Sequence, residues 1–224
     1  DLYIGTNAAG TGRVANGSVG VYLGAAGNIV GGTATGAGNV ISGNTWEQLQ
    51  IDSAATGTTV QGNLIGPAAD GSITLASGGY GVWLKSGGNT LGGTTAAAAN
   101  TIAGNGSKGV VVSGSTSTGN AILGNVIRRN GDIAIDLGND GSTANDGAKT
   151  TGQPNLLIDT PVFTTSAYSG STLTVAGYVG NGAGSATFAS ARVEVFVADT
   201  FAAGNIQAQT YLGPLTTDAS GKFS

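Results

Sequence analysis

The chain contains no cysteine, no histidine and no methionine. Disulfides, thiol nucleophiles, histidine general bases and the usual zinc ligands are thereby excluded together. Charge is also scarce: 8 basic and 12 acidic residues among 224, for a formal net charge of −4. Arg128-Arg129 is the one adjacent basic pair, so there is no electrostatic footprint for a nucleic-acid backbone. No apolar run approaches the length of a membrane span, and no segment reads as a signal peptide. With four prolines and no Gly-X-Y period, the 42 glycines do not indicate collagen. An acidic, cysteine-free chain rich in Gly, Asn, Thr and Ala fits the bacterial cell exterior, either extracellular or at the cell surface.

What is present is a repeat. Leu2-Tyr3-Ile4-Gly5 returns as Asn63-Leu64-Ile65-Gly66, and the same offset carries Val19-Gly20-Val21-Tyr22-Leu23 onto Tyr80-Gly81-Val82-Trp83-Leu84. It also carries Gly31-Gly32-Thr33 onto Gly92-Gly93-Thr94, and Asn39-Val40-Ile41-Ser42-Gly43-Asn44 onto Asn100-Thr101-Ile102-Ala103-Gly104-Asn105. The first apolar clusters fall at Ile4, Ile41, Ile65, Ile102 and Ile127, so long coils alternate with short ones. A coil of roughly 20–25 residues is enough for a three-sided solenoid. The fold predicted is all-β: a right-handed parallel β-helix of about five coils over residues 1–140.

Period-two alternation assigns faces within each coil. Val21/Leu23, Leu49/Ile51, Val82/Leu84, Val110/Val112 and Ile133/Ile135 are expected inward, and Tyr22, Gln50, Trp83, Val111 and Ala134 outward. Stacked strands about 4.8 Å apart turn the inward residues into a continuous ladder. The Gly-Asn corners supply the positive φ of sharp bends, and stacked asparagines such as Asn28/Asn89 and Asn44/Asn105 can bond along the stack. Two loops, Thr6 to Ser18 and Pro67 to Gly79, enlarge the long coils and are expected to fold over the aromatics Tyr22 and Trp83.

After a linker or cap over residues 141–159, rich in Gly and Asn, the pattern changes. Longer alternating strands are expected at Pro161 to Thr165, Ser171 to Tyr178 and Ala191 to Val197, with shorter ones near Tyr211 and Lys222. This predicts a small β-sandwich over residues 160–224, immunoglobulin-like and with its final strand barely begun. The repeated phrases above and the closing Ile133-Ala-Ile-Asp136-Leu-Gly-Asn-Asp-Gly141 resemble bacterial right-handed β-helix repeat proteins of secreted or surface type. In that group a stretch similar to Asn155 to Val162 leads into a β-sandwich module. The resemblance implies architecture and says little of activity.

Three places could carry chemistry. The column after the second strand reads Gly24, Asp52, Lys85, Ser113, Asp136, which makes Asp52 and Lys85 neighbours. They form either a surface ion pair or the start of a catalytic site with Asp52, although glycoside hydrolysis needs a second carboxylate nearby. Asp136, Asn139, Asp140, Asn145 and Asp146 could supply oxygens to Ca2+, or simply build a turn. Tyr22 and Trp83, with Gln50 and Lys85, could stack on sugar rings or anchor a partner. Glu47, Lys108 and Arg128-Arg129 read as solvated charges.

The reading is a non-enzymatic structural or adhesive module. The chain opens mid-pattern with no capping helix before Leu2, so the edge is expected to meet either more protein or another molecule in a head-to-tail polymer. The alternative is a carbohydrate-binding or polysaccharide-degrading protein, with a cell-surface polysaccharide as its partner.

Overall fold

The computed structural model describes residues 1–75, 77–182, 185–199 and 206–224. Strands of two or three residues alternate with glycine and asparagine turns over its first 137 positions. In order they are β1 (Tyr3–Ile4), β2 (Val21–Leu23), β3 (Ile29–Gly31), β4 (Val40–Ile41), β5 (Leu49–Ile51), β6 (Thr59–Gln61) and β7 (Leu64–Ile65). There follow β8 (Val82–Leu84), β9 (Thr90–Gly92), β10 (Thr101–Ala103), β11 (Val110–Val112), β12 (Ala121–Leu123), β13 (Val126–Arg128) and β14 (Ile135–Leu137). Every pairing among these strands is parallel, and each strand pairs with the one three places along. The chain thus visits three sheets in rotation: β1-β4-β7-β10-β13, β2-β5-β8-β11-β14 and β3-β6-β9-β12.

The isoleucines read from the repeat meet in register, Ile4 on Ile41, Ile65, Ile102 and Ile127. Between the sheets lies one core containing Leu49, Ile51, Val60, Ile65, Val82, Leu84, Leu91, Ile102, Val110 and Val112. Each fully buried aliphatic side chain contributes roughly 1.5–3 kcal/mol. Two- and three-residue strands have no stability alone, so the stack and its core form together.

Glycine is needed where one circuit lies directly on the next. Gly31 and Gly92 have φ of +79° and +85°, and a Cβ at either would come within 2.1 Å of the carbonyl oxygen of Gln61 or Leu123. Positive φ and close backbone approach both require a residue without a side chain.

The asparagine ladders differ from those expected. Asn28 donates to the Ala25 carbonyl, and Thr58 lies between it and Asn89. The longest ladder instead joins the third sheet to the first, through Asn39, Asn63, Asn100 and Asn125. Successive Nδ2 groups donate to the next Oδ1 at 3.1, 2.9 and 2.9 Å. Each Oδ1 also accepts the preceding residue's backbone N–H. Only an amide both accepts and donates at this reach, which is why the position is asparagine in circuit after circuit. Between the first and second sheets Asn105 donates to Asn130 at 2.9 Å, while Asn44 is satisfied by Asn16 and Gln48 and does not reach Asn105 through an amide chain.

The two long loops also lie elsewhere than expected. They pack on the outer side of the first sheet, away from Tyr22 and Trp83. Gly10 sits where a Cβ would touch both Ala69 and the Tyr3 ring, and one at Gly104 would touch Ile73. Arg13 Nε donates to the Gly43 carbonyl at 2.6 Å, and Ala68 and Leu75 are buried. The outward column of that sheet begins Tyr3, Val40, Leu64, an apolar strip that gains from cover. On the second sheet polar partners satisfy the aromatics instead.

The remaining strands are antiparallel: β15 (Pro161–Ser169), β16 (Thr172–Val179), β17 (Arg192–Asp199), β18 (Gln207–Thr216) and β19 (Lys222–Phe223). A β15-β16-β19 sheet and the β17-β18 pair enclose a second core of Val179, Phe188, Val193 and Phe223. Strand β18 also pairs with β13, so the first sheet continues into the C-terminal part as seven strands. The exposed edge that β13 would present is covered in this way. No helix among the described residues is long and apolar enough to cross a membrane.

Candidate ligand-binding face

The outer side of the second sheet holds the aromatic column. Tyr22, Gln50, Trp83 and Val111 lie opposite one another in successive strands. The final circuit departs from the expected register by two residues. Ile135, Asp136 and Leu137 oppose Val110, Val111 and Val112, which puts Asp136 in the column of Trp83 and Gly138 after Ser113. A buried carboxylate with several donors around it fixes this register, and Leu137 takes the inward place assigned to Ile135.

Tyr22 is 58% exposed, and its hydroxyl donates to Asp52 Oδ2 at 2.7 Å. Gly24 leaves room for the ring: a Cβ there would lie 3.2 Å from Tyr22 Cε1. Lys85 Nζ stands 3.1 Å from Asp52 Oδ1 and 4.7 Å from the centre of the Trp83 ring. Gln50 Nε2 reaches Asp52 Oδ1 at 3.5 Å, and Trp83 Nε1 donates to Ser113 Oγ at 2.7 Å. Of the four residues read as a binding face, Tyr22, Gln50 and Lys85 therefore meet at Asp52, and Lys85 links them to Trp83.

The Tyr22 hydroxyl, followed by Lys85, holds the Asp52 carboxyl down at about 2, while the same hydrogen bond raises the Tyr22 phenol above its ordinary value. Asp52 is thus a permanent anion at neutral pH. It can accept hydrogen bonds and position a cation, but it is poorly placed to hold a proton for general-acid work.

A second cluster follows two strands on. Lys108 Nζ lies 2.6 Å from Asp136 Oδ2 and 2.9 Å from Asn139 Oδ1. The Asp136 carboxylate is fully buried and also accepts the backbone N–H groups of Asn139, Asp140 and Gly141. Burial opposes the charge on Lys108, but the adjoining Asp136 more than offsets it, and the amine lies above the ordinary lysine value. Lys108 is therefore half of a buried ion pair and not the solvated charge its sequence position suggests.

The five residues considered as calcium ligands fall into two groups. Asp136, Asn139 and Asp140 share the turn just described. Asn145 bridges Thr160 and Gly180, and Asp146 accepts the Ala148 N–H. No group of three or more carboxylates able to hold a metal gathers among the described residues.

The sequence reading missed Tyr80, whose ring meets Trp83 edge-on at 5.6 Å and lies beneath Lys108 at 5.9 Å. Asp52, Lys85, Trp83, Tyr80, Lys108 and Asp136 thus form one chain of charge and aromatic contacts along the face. The spacing of Tyr80 three residues before Trp83 was the available signal, but Tyr80 precedes the strand, where alternation assigns no face. No family model matches the chain, and no solved structure matches it.

Proposed function

We propose that the chain is a module of a right-handed parallel β-helix, of the bacterial secreted or surface type, serving as a rigid extracellular scaffold. The observation that carries this is the cross-linking of successive circuits at both backbone and side-chain level, through three parallel sheets and the Asn39–Asn63–Asn100–Asn125 ladder. Such a stack grows by adding circuits without a new core design, which suits a rod. The immunoglobulin-like character of residues 160–224 belongs to the same proposal, as does end-to-end association. Strands β1, β2 and β3 lie at sheet edges and carry exposed Tyr3, Tyr22 and Ile29. Unpaired strand edges with apolar side chains are templates for another chain.

A second reading, saccharide binding on the second sheet, is favoured by the exposed Tyr22 ring tethered to an ionised Asp52. The two are separated from catalysis by incubation with acidic and neutral polysaccharides. The scaffold reading expects no new reducing ends or unsaturated products. Product release abolished by Asp52→Asn would replace it with an enzyme.

A further inference from the structure

We propose that the corner joining the first sheet to the second carries a subsite for a neutral hexopyranose, with the Trp46 indole as stacking platform and the Glu47 carboxylate as hydroxyl acceptor. This goes beyond the strand-face reading, because it lies on turns and uses none of Tyr22, Gln50, Asp52 or Lys85.

A groove of about 410 Å3 elsewhere is lined mostly by glycine, threonine and alanine, together with Asp1, Tyr3, Asn39, Val40 and Leu64, and has no tryptophan in its lining. The corner groove is smaller, about 310 Å3, but its lining includes Trp46, Glu47 and Tyr80, with Thr45 and Ser107. It sits at the lower end of the ~300–1,000 Å3 typical of ligand pockets. Trp46 is 58% exposed although its backbone is fixed, its N–H donating to the Ser18 carbonyl at 3.2 Å. The next circuit presents Gly78 and Gly79 at this corner. A Cβ at Gly79 would come 2.6 Å from the Trp46 carbonyl carbon, and one at Gly78 would come 2.4 Å from the Thr45 oxygen. The turns therefore stack flush, and no side chain from those two positions covers the indole.

The polar wall is equally specific. Glu47 takes part in none of the ion pairs among the described residues, and its carboxylate has no hydrogen-bond partner among them. The Tyr80 ring meets Trp83 edge-on and lies beneath Lys108. Lys108 is tied to Asp136 and cannot neutralise an incoming anion. An indole face beside an unpaired carboxylate suits a ring with apolar C–H faces and hydroxyl donors at its rim, and repels a uronate.

Trp46 and Trp83 are the two tryptophans of the chain, so the emission change that Trp46→Phe removes is the one reported by Trp46. The unaltered chain is titrated with cellohexaose, mannohexaose, maltohexaose and, as the acidic counterpart, hexagalacturonate. The proposal expects a saturable blue shift of Trp46 emission with at least one neutral hexasaccharide and a weaker response to hexagalacturonate. In the otherwise unaltered chain, Trp46→Ala should weaken calorimetric binding of the same sugar roughly tenfold or more. Glu47→Gln should weaken it less and narrow the gap to hexagalacturonate. Trp46 is exposed, and an unchanged circular dichroism spectrum establishes that the variant folds. Absence of any Trp46 response to the neutral sugars overturns the subsite. Binding that survives Trp46→Ala and disappears in Tyr22→Ala also overturns it, while leaving the strand-face reading intact.

Discussion

Gln207 and Asn130, 77 residues apart, exchange three hydrogen bonds. Gln207 Oε1 accepts the Asn130 N–H at 3.0 Å and its Nδ2 at 3.1 Å, and Gln207 Nε2 donates to the Asn130 carbonyl at 2.9 Å. The glutamine does for Asn130 what Asn130 does for Asn105, so a residue from the antiparallel part completes a ladder built by the parallel part. Nearby, Glu194 Oε2 accepts the Gly124 N–H at 2.7 Å. The C-terminal strands therefore cover the last strand of the first sheet as well as forming their own core.

Gln207→Ala should destabilise the chain by about 1–3 kcal/mol, because it strands buried donors on Asn130. Thermal unfolding followed by circular dichroism should show the midpoint falling by roughly 2–4 °C per kcal/mol. An unchanged midpoint would mean that the cap is dispensable.

The position of an asparagine in its ladder should set its worth. Asn100 is fully buried and bonds to Asn63, Asn125 and the Val60 carbonyl, whereas Asn39 is the first member of the ladder and is partly buried. Asn100→Ala should lose more stability than Asn39→Ala in urea unfolding. The reverse order would contradict the ladder as a source of stability.

Removing one partner of the Lys108–Asp136 pair should cost about 3–5 kcal/mol, since it leaves the other charge buried and uncompensated. Lys108 is raised in the folded state, so its contribution is full below the unfolded lysine value of about 10.4 and fades as pH rises through the higher folded value. Urea midpoints measured between pH 9 and 12 should fall more steeply for the unaltered chain than for Lys108→Met.

Asp52 has the opposite sign. Its carboxyl is depressed to about 2, so the stabilisation it confers is present above the ordinary carboxylate range and lost as pH falls toward 2. Being partly exposed, it should be worth no more than about 1 kcal/mol. The stability difference between the unaltered chain and Asp52→Asn should be small at pH 7 and vanish near pH 2.

The circuit positions and the inward ladder were legible because residues such as Ile41 and Ile65 recur in a pattern that only burial explains. The neighbourhood of Asp52 and Lys85 followed from the same register. Asp136 was misplaced because the alternation of Ile133 and Ile135 is satisfied equally well two residues away, and a buried carboxylate decides between the two. The loops were misassigned because glycine and alanine carry no periodicity to say which face they cover. Trp46 lies in a turn, where alternation assigns no direction, and its groove comes from three circuits stacked together.

The scaffold account is tested most directly by sedimentation velocity of the purified chain over a wide concentration range. It predicts species growing beyond the 21.6 kDa monomer as concentration rises, and a return to monomer when the exposed edge residue Ile29 is replaced by lysine. A single 21.6 kDa species at every concentration, indifferent to Ile29→Lys, would contradict it.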